Sequence, residues 1–178
     1  MRRSVSFVAV ALFIFVTNAV AGEVTVGPFS VSLPSTFVGP ERAAPDVNSE
    51  IVAYSSPRKQ GEPANVIQFT RYTVGAAPPN ADDNTYAEGA EHYLLQMLQG
   101  IERRRTAYAQ SPLKRTRLAG HVGARGSWTG TAQGFPTNGV MYCAIIGPDA
   151  WIIHVFGPGD RPDSELQLVI AAVERAGH

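Results

Sequence analysis

The chain has 178 residues, 44% of them hydrophobic, with 15 basic and 15 acidic side chains and therefore no formal net charge. That balance gives no long-range field to attract nucleic acid or strongly acidic substrates, and a single cysteine excludes an intramolecular disulfide framework. The length suits one domain with a sizeable core.

Residues 1–21 read as a secretory signal peptide. Arg2 and Arg3 precede the apolar run Phe7 to Val16, polar Thr17 and Asn18 follow, and Ala19-Val20-Ala21 supplies the small residues of a cleavage site. A retained anchor is the competing reading. The run falls short of the roughly 20 apolar residues of a membrane helix, however, and no later segment approaches that length, so no membrane span is expected. Cleavage after Ala21 leaves residues 22–178 as a single domain, with 13 basic and 15 acidic side chains. No Asn-x-Ser/Thr sequon occurs, which favours a bacterial periplasm over a eukaryotic secretory route. The expected location is periplasmic or secreted.

In the mature part, Phe29, Val31 and Leu33 alternate with two serines, which predicts a half-buried strand. Val38 to Asn48 reads as a loop from its prolines and charges. Glu50 to Tyr54 and Asn65 to Val74 read as strands, separated by the polar turn at 56–63. Pro78, Pro79 and Asp82-Asp83 break the chain before a long helix, for which Thr85 and Glu88 have the spacing of a capping box. Tyr86, Ala90, Tyr93, Leu94, Met97, Ile101 and Tyr108 recur at helical spacing and form one apolar face, and Ser111-Pro112 ends the helix.

Period two then returns. Val122, Ala124, Gly126 and Trp128 share one side of a strand, with His121, Arg125, Ser127 and Thr129 opposite. The segments Val140 to Ile146 and Trp151 to Phe156 are apolar on both sides, as central strands covered on both faces are. Asp163 and Ser164 offer caps to a last helix bearing Leu166, Val169, Ile170 and Val173, with Gly177 as its stop. The order of elements predicts an α+β fold: a mostly antiparallel sheet with one long helix and a C-terminal helix packed on it.

The opening FSVSLP, the LAGHVGARGSW segment after the long helix, the YCAII/WIIHV hairpin and the closing helix together resemble the PsbP-like α/β/α sandwich group of small exported proteins. Members of that group serve mostly as binding or assembly accessories of larger complexes. The resemblance therefore implies a non-enzymatic role with a protein partner in the envelope, and it carries no functional residue across.

Several chemical signatures are missing. The sequence has no Gly-x-Ser-x-Gly elbow, phosphate loop, Cys-x-x-Cys, His-Glu-x-x-His or calcium-loop pattern, so no cofactor and no metal site is expected. The glycines at 120, 123, 126, 130 and 134 lead into strands rather than a helix N-terminus, which suits close backbone approach better than a phosphate cradle. Arg103, Arg104 and Arg105 close the long helix; they read as a solvated helix end or as a basic patch for an anionic partner. Asn138-Gly139 is a turn signal, and Phe135-Pro136 near the tip of that hairpin places an apolar ring where a partner can touch it. Phe135, Arg103 and Arg104 are thus the candidate partner-binding residues.

Cys143 and His154 are the candidates for an enzyme, a small hydrolase or a thiol-dependent one. With a turn over Gly147 to Ala150, Ile146 faces Trp151 and Cys143 faces His154 across two antiparallel strands. Met141, Ile145, Ile152 and Phe156 share their face, and such apolar surroundings favour a neutral thiol and a neutral imidazole, which points to a structural pair. Two residues are too few for zinc.

Overall fold

The computed structural model describes residues 22–57, 63–76, 78 and 80–177. The expected leader at 1–21, Pro79 and most of the expected turn at 56–63 lie outside the described residues. Ten strands and two helices follow in the order β1 (Glu23–Val26), β2 (Phe29–Ser32), β3 (Val38–Ala43), β4 (Ser49–Ser56), β5 (Asn65–Thr73), α1 (Asp83–Glu102), β6 (Thr106–Gln110), β7 (Lys114–Leu118), β8 (His121–Ala132), β9 (Phe135–Ile146), β10 (Asp149–Pro158) and α2 (Ser164–Arg175). Eight strands form one antiparallel sheet in the order β3-β4-β5-β10-β9-β8-β6, with β7 also paired to β8. The fold class is α+β, as expected.

Alternation along the central strands divides the interior into two cores. On one face, Phe69, Tyr142, Ile153 and Val155 meet the β1–β2 hairpin through Phe29 and Val31 and meet α2 through Leu166, Val169 and Val173. On the other, Trp128, Met141, Cys143 and Ile152 meet α1 through Ala90, Leu94 and Leu98. Leu94 and Leu98 are fully buried, and each contributes about 1.5–3 kcal/mol by leaving water. Tyr93, Met97 and Ile101 flank them, so the predicted stripe faces the sheet. Gly126 permits the close approach. A Cβ there would lie 2.8 Å from Leu113 and 3.2 Å from Leu98, so β8 carries no side chain where α1 crosses it.

Three local expectations are corrected. Val38 to Ala43 is an edge strand rather than loop; a register shift between Val38 and Glu41 absorbs Pro40, whose missing N–H costs nothing at a bulge. The N-cap of α1 is Asp82, whose carboxylate accepts from the Thr85 N–H and hydroxyl, each at 2.8 Å; Thr85 is the third helical residue and Asp82 starts the helix instead of breaking the chain before it. The helix also stops at Glu102 rather than Ser111, and Thr106 to Gln110 pairs with β8 as β6. Tyr108 continues the helical spacing by coincidence. The open backbone of β8 takes that segment as a strand, with an irregularity between Thr106 and Ala109 where Ala107 turns to positive φ.

Candidate functional site

The earlier end of α1 changes where the arginines sit. Arg103 is the C-cap of α1; its N–H bonds to Gln99 O, and its side chain is exposed and does not line the cleft that Arg104 lines. Arg104 and Arg105 lie beyond the helix, on the short link into β6. At the same end of the sheet the β8–β9 hairpin turns. Its two-residue turn is Gln133-Gly134, both at positive φ (51° and 85°), with Ala132 paired to Phe135. Asn138-Gly139, the turn expected from sequence, lies inside β9. Asn138 is 2% exposed and donates through Nδ2 to the carbonyls of Pro158 and Gly159 at 3.2 and 3.0 Å, and a Cβ on Gly139 would meet the Trp128 indole at 2.8 Å. That Asn-Gly pair ties down the chain after β10 and makes room for a tryptophan, which no local turn statistic can reveal.

Phe135 therefore flanks the turn, 48% exposed, and shares a cleft of about 430 Å³ with Arg104, Arg105, Gln133, Thr137 and Phe156. Two of the three sequence candidates, Phe135 and Arg104, are brought together there, and Arg103 is not. Arg105 and Phe156 are the residues that sequence reasoning missed. A helix drawn through to residue 110 buries the distinction between Arg105 and its neighbours, and Phe156 reads as one more apolar residue of a central strand.

Behind the Arg105 and Phe156 walls of this cleft lies an aromatic stack, whose Trp128 lines the separate cleft of about 350 Å³ beside Asp160 and Arg161. The Arg105 guanidinium lies 5.2 Å from the centre of the Trp128 ring; the Trp128 indole N–H donates to His154 Nε2 at 3.2 Å; and the His154 ring stacks on Phe156 with centroids 4.4 Å apart. Burial, assisted by the nearby Arg105 charge, pushes His154 down to about 3, so the imidazole stays neutral and accepts the indole proton. Among the described residues no acidic side chain lines the cleft, and neither Arg104 nor Arg105 has an ion-pair partner.

Two other clefts differ in this respect. One of about 210 Å³ contains Arg42 and Arg71, but both are paired with Glu50, at 3.0 and 3.5 Å. Another of about 350 Å³ lies beside Asp160 and Arg161, whose charges oppose each other, and the hydroxyls of Ser111 and Ser127 at its wall bond to one another at 2.9 Å.

Cys143 and His154 do share a face, but in a different register. The turn between β9 and β10 is Gly147-Pro148; Ile146 faces Asp149, Cys143 faces Ile152, and His154 faces Met141. A slip of two residues preserves the face and turns direct partners into diagonal ones, roughly 7–8 Å apart. Cys143 is fully buried, and burial pushes its thiol up to about 12. The imidazole beside it is engaged with Trp128 instead. Neither a thiolate nor a free base is available there. No group of three or more His, Cys, Asp or Glu side chains among the described residues is placed to hold a metal ion, and no helix among them is long and apolar enough to cross a membrane.

No protein-family model matches this chain, and no curated protein matches it either. Among solved structures, the Pseudomonas aeruginosa protein of unknown function PA94 is similar at a TM-score of 0.46 with 11% sequence identity, over 89% of this chain and 94% of that one.

Proposed function

We propose that this is an exported, non-enzymatic binding or assembly accessory of the bacterial envelope, and that it engages its partner at the cleft formed by Arg104, Arg105, Phe135 and Phe156. Export rests on the leader pattern of residues 1–21, and the accessory role rests on the PsbP-like pattern of the mature chain. The observation that carries the binding site is convergence: two guanidinium groups without an ion-pair partner among the described residues and two aromatic rings, from three distant stretches of sequence, line one concavity. The thiol-enzyme alternative requires a reactive Cys143 and a free His154, and burial works against both.

The test compares the native mature protein with Phe135→Ala and Arg104→Glu as bait for envelope extract. A half-exposed ring outside both cores is expected to change stability by no more than about 0.5 kcal/mol when truncated, while the captured partner is lost. Capture that survives both substitutions, or a Phe135→Ala stability loss of about 3 kcal/mol as for a core phenylalanine, overturns the assignment.

A further inference from the structure

Three partly buried arginines enclose an Nε atom that has no hydrogen-bond partner: Arg71, Arg105 and Arg125. Arg71 reaches Glu50 at 3.5 Å and Arg125 reaches Glu174 at 3.2 Å, so each of those charges has its carboxylate. Arg105 has none among the described residues. Among the described residues its side chain makes one hydrogen bond, a long one from Nη1 to the Arg104 carbonyl at 3.4 Å. Leaving a donor of a charged group enclosed and unmatched costs about 1–3 kcal/mol or more, so a native fold that retains one calls for an explanation.

The guanidinium is also held in place before anything binds. Trp128 lies against one face at 5.2 Å, and the Arg105 Cβ packs over Gly130, where an added Cβ would approach to 3.0 Å. The Trp128 ring is itself fixed by His154 and by the gap at Gly139. With its Nε enclosed, a guanidinium fixed in this way has its two terminal Nη groups as the parallel donor pair for two oxygens of a carboxylate or phosphate. Arg104 adds a second cation at the rim. Phe135, Phe156, Ala132 and Pro63 supply apolar and aromatic wall, and Gln133 and Thr137 supply neutral polar side chains. A volume of about 430 Å³ suits a small organic group and is too large for a bare ion.

Building on the assignment of this cleft as the binding site, we propose that it takes an anion, carboxylate or phosphate, borne on a flat apolar group, with Arg105 holding the anion and Phe135 and Phe156 holding the ring. The charge and the ring are both required. An isolated anion leaves the aromatic walls wet, and a neutral ring leaves Arg105 unmatched.

The experiment titrates the full mature protein with phenylphosphate, phenylacetate, inorganic phosphate and benzyl alcohol. Calorimetry gives affinities; the Trp128 indole N–H resonance, assigned by comparison with Trp151→Phe, reports on the stack behind Arg105, and loss of its shift in Phe135→Ala, a residue that lines this cleft and not the one beside Asp160, gives the location. At least one aryl anion is expected to bind ten or more times tighter than inorganic phosphate and benzyl alcohol and to shift Trp128; the tighter of the two identifies the anion. Arg105→Lys keeps the charge but removes the paired donors and is expected to weaken that binding about tenfold. Should Arg105→Lys fail to fold, Arg104→Gln and Phe135→Ala serve instead, each weakening the aryl anion severalfold and leaving the thermal midpoint unchanged. Benzyl alcohol binding as tightly as the aryl anions and shifting Trp128 overturns the anion requirement while the cleft stands. Inorganic phosphate binding as tightly as phenylphosphate overturns the apolar requirement. If no probe moves Trp128 and envelope capture is also indifferent to Phe135→Ala, the cleft itself is wrongly assigned.

Discussion

Acidification provides a sharp test of the aromatic stack behind the cleft. His154 Nε2 accepts the Trp128 indole proton at 3.2 Å, the ring is sandwiched between Trp128 and Phe156, and Arg105 stands above the same stack. A protonated imidazole would lose that acceptor, place a cation in an enclosed site and add it beside an arginine. Burial first, and Arg105 second, therefore lower the folded value from 6.5 to about 3. Because the folded value is depressed, the unfolded chain binds the extra proton first. The stabilising contribution of neutral His154 is complete above pH 6.5 and is lost as pH falls from there toward about 3. One proton per molecule gives a slope of about 1.4 kcal/mol per pH unit, so acidification to pH 5 removes up to about 2 kcal/mol. That figure is a ceiling, since His154 is only partly buried as a residue.

The assay is urea unfolding followed by circular dichroism at intervals from pH 7.5 to 5, on the wild type and on His154→Gln. Glutamine keeps an acceptor and does not titrate. Glu165 and Asp82 have folded values below their ordinary 4.5 and 3.8, so the stability they provide disappears only in more acidic solution, outside this window. The difference between the two proteins thus isolates His154. Wild type is expected to lose stability across the window while the variant loses at least 1 kcal/mol less by pH 5, within the ceiling of about 2. Parallel curves would refute the account of a neutral, enclosed imidazole.

Other expectations concern the cores and the rim. Leu98→Ala, at a fully buried position where α1 meets β8, should cost about 2–5 kcal/mol in chemical denaturation, and a cost below 1 would mean that α1 is not docked as described. Asp82→Ala removes the N-cap of α1 and should cost about 0.5–2 kcal/mol, against almost nothing for Glu88→Ala, whose carboxylate accepts only from Asn84 on the surface. Cys143 should react with a thiol reagent only slowly at neutral pH until denaturant is added; rapid labelling of native protein that disappears in His154→Gln would restore the thiol-enzyme reading. Charge reversal at Arg104 should weaken aryl-anion binding more at low salt than at high salt, whereas reversal at Arg103, outside the cleft, should leave it within about twofold.

What the sequence discloses and what it hides divide along a physical line. Period two and period 3.6 report which face of an element is buried, and they placed β2, β4, β5, the β8 to β10 meander and both helices because burial is a property of one segment against the bulk interior. Register, strand pairing and cation partnership are relations between segments, and there the expectations slipped. Cys143 and His154 fell on the correct face with the wrong partners, since a shift of two residues leaves the alternation unchanged. Thr106 to Gln110 was drawn as helix because its fate is decided by the unpaired edge of β8, which lies beyond it in the chain. The cleft is the extreme case. A chain with 15 basic and 15 acidic residues gives no indication by count of which arginine lacks a partner. Arg71 and Arg125 find Glu50 and Glu174 only through the fold, and the same fold leaves Arg105 over Trp128 without one among the described residues. Of the cleft residues, Arg104 is legible in advance only as one of three consecutive arginines, and Phe135 as an aromatic ring beside a hairpin turn, because exposure at a turn is once again a local property.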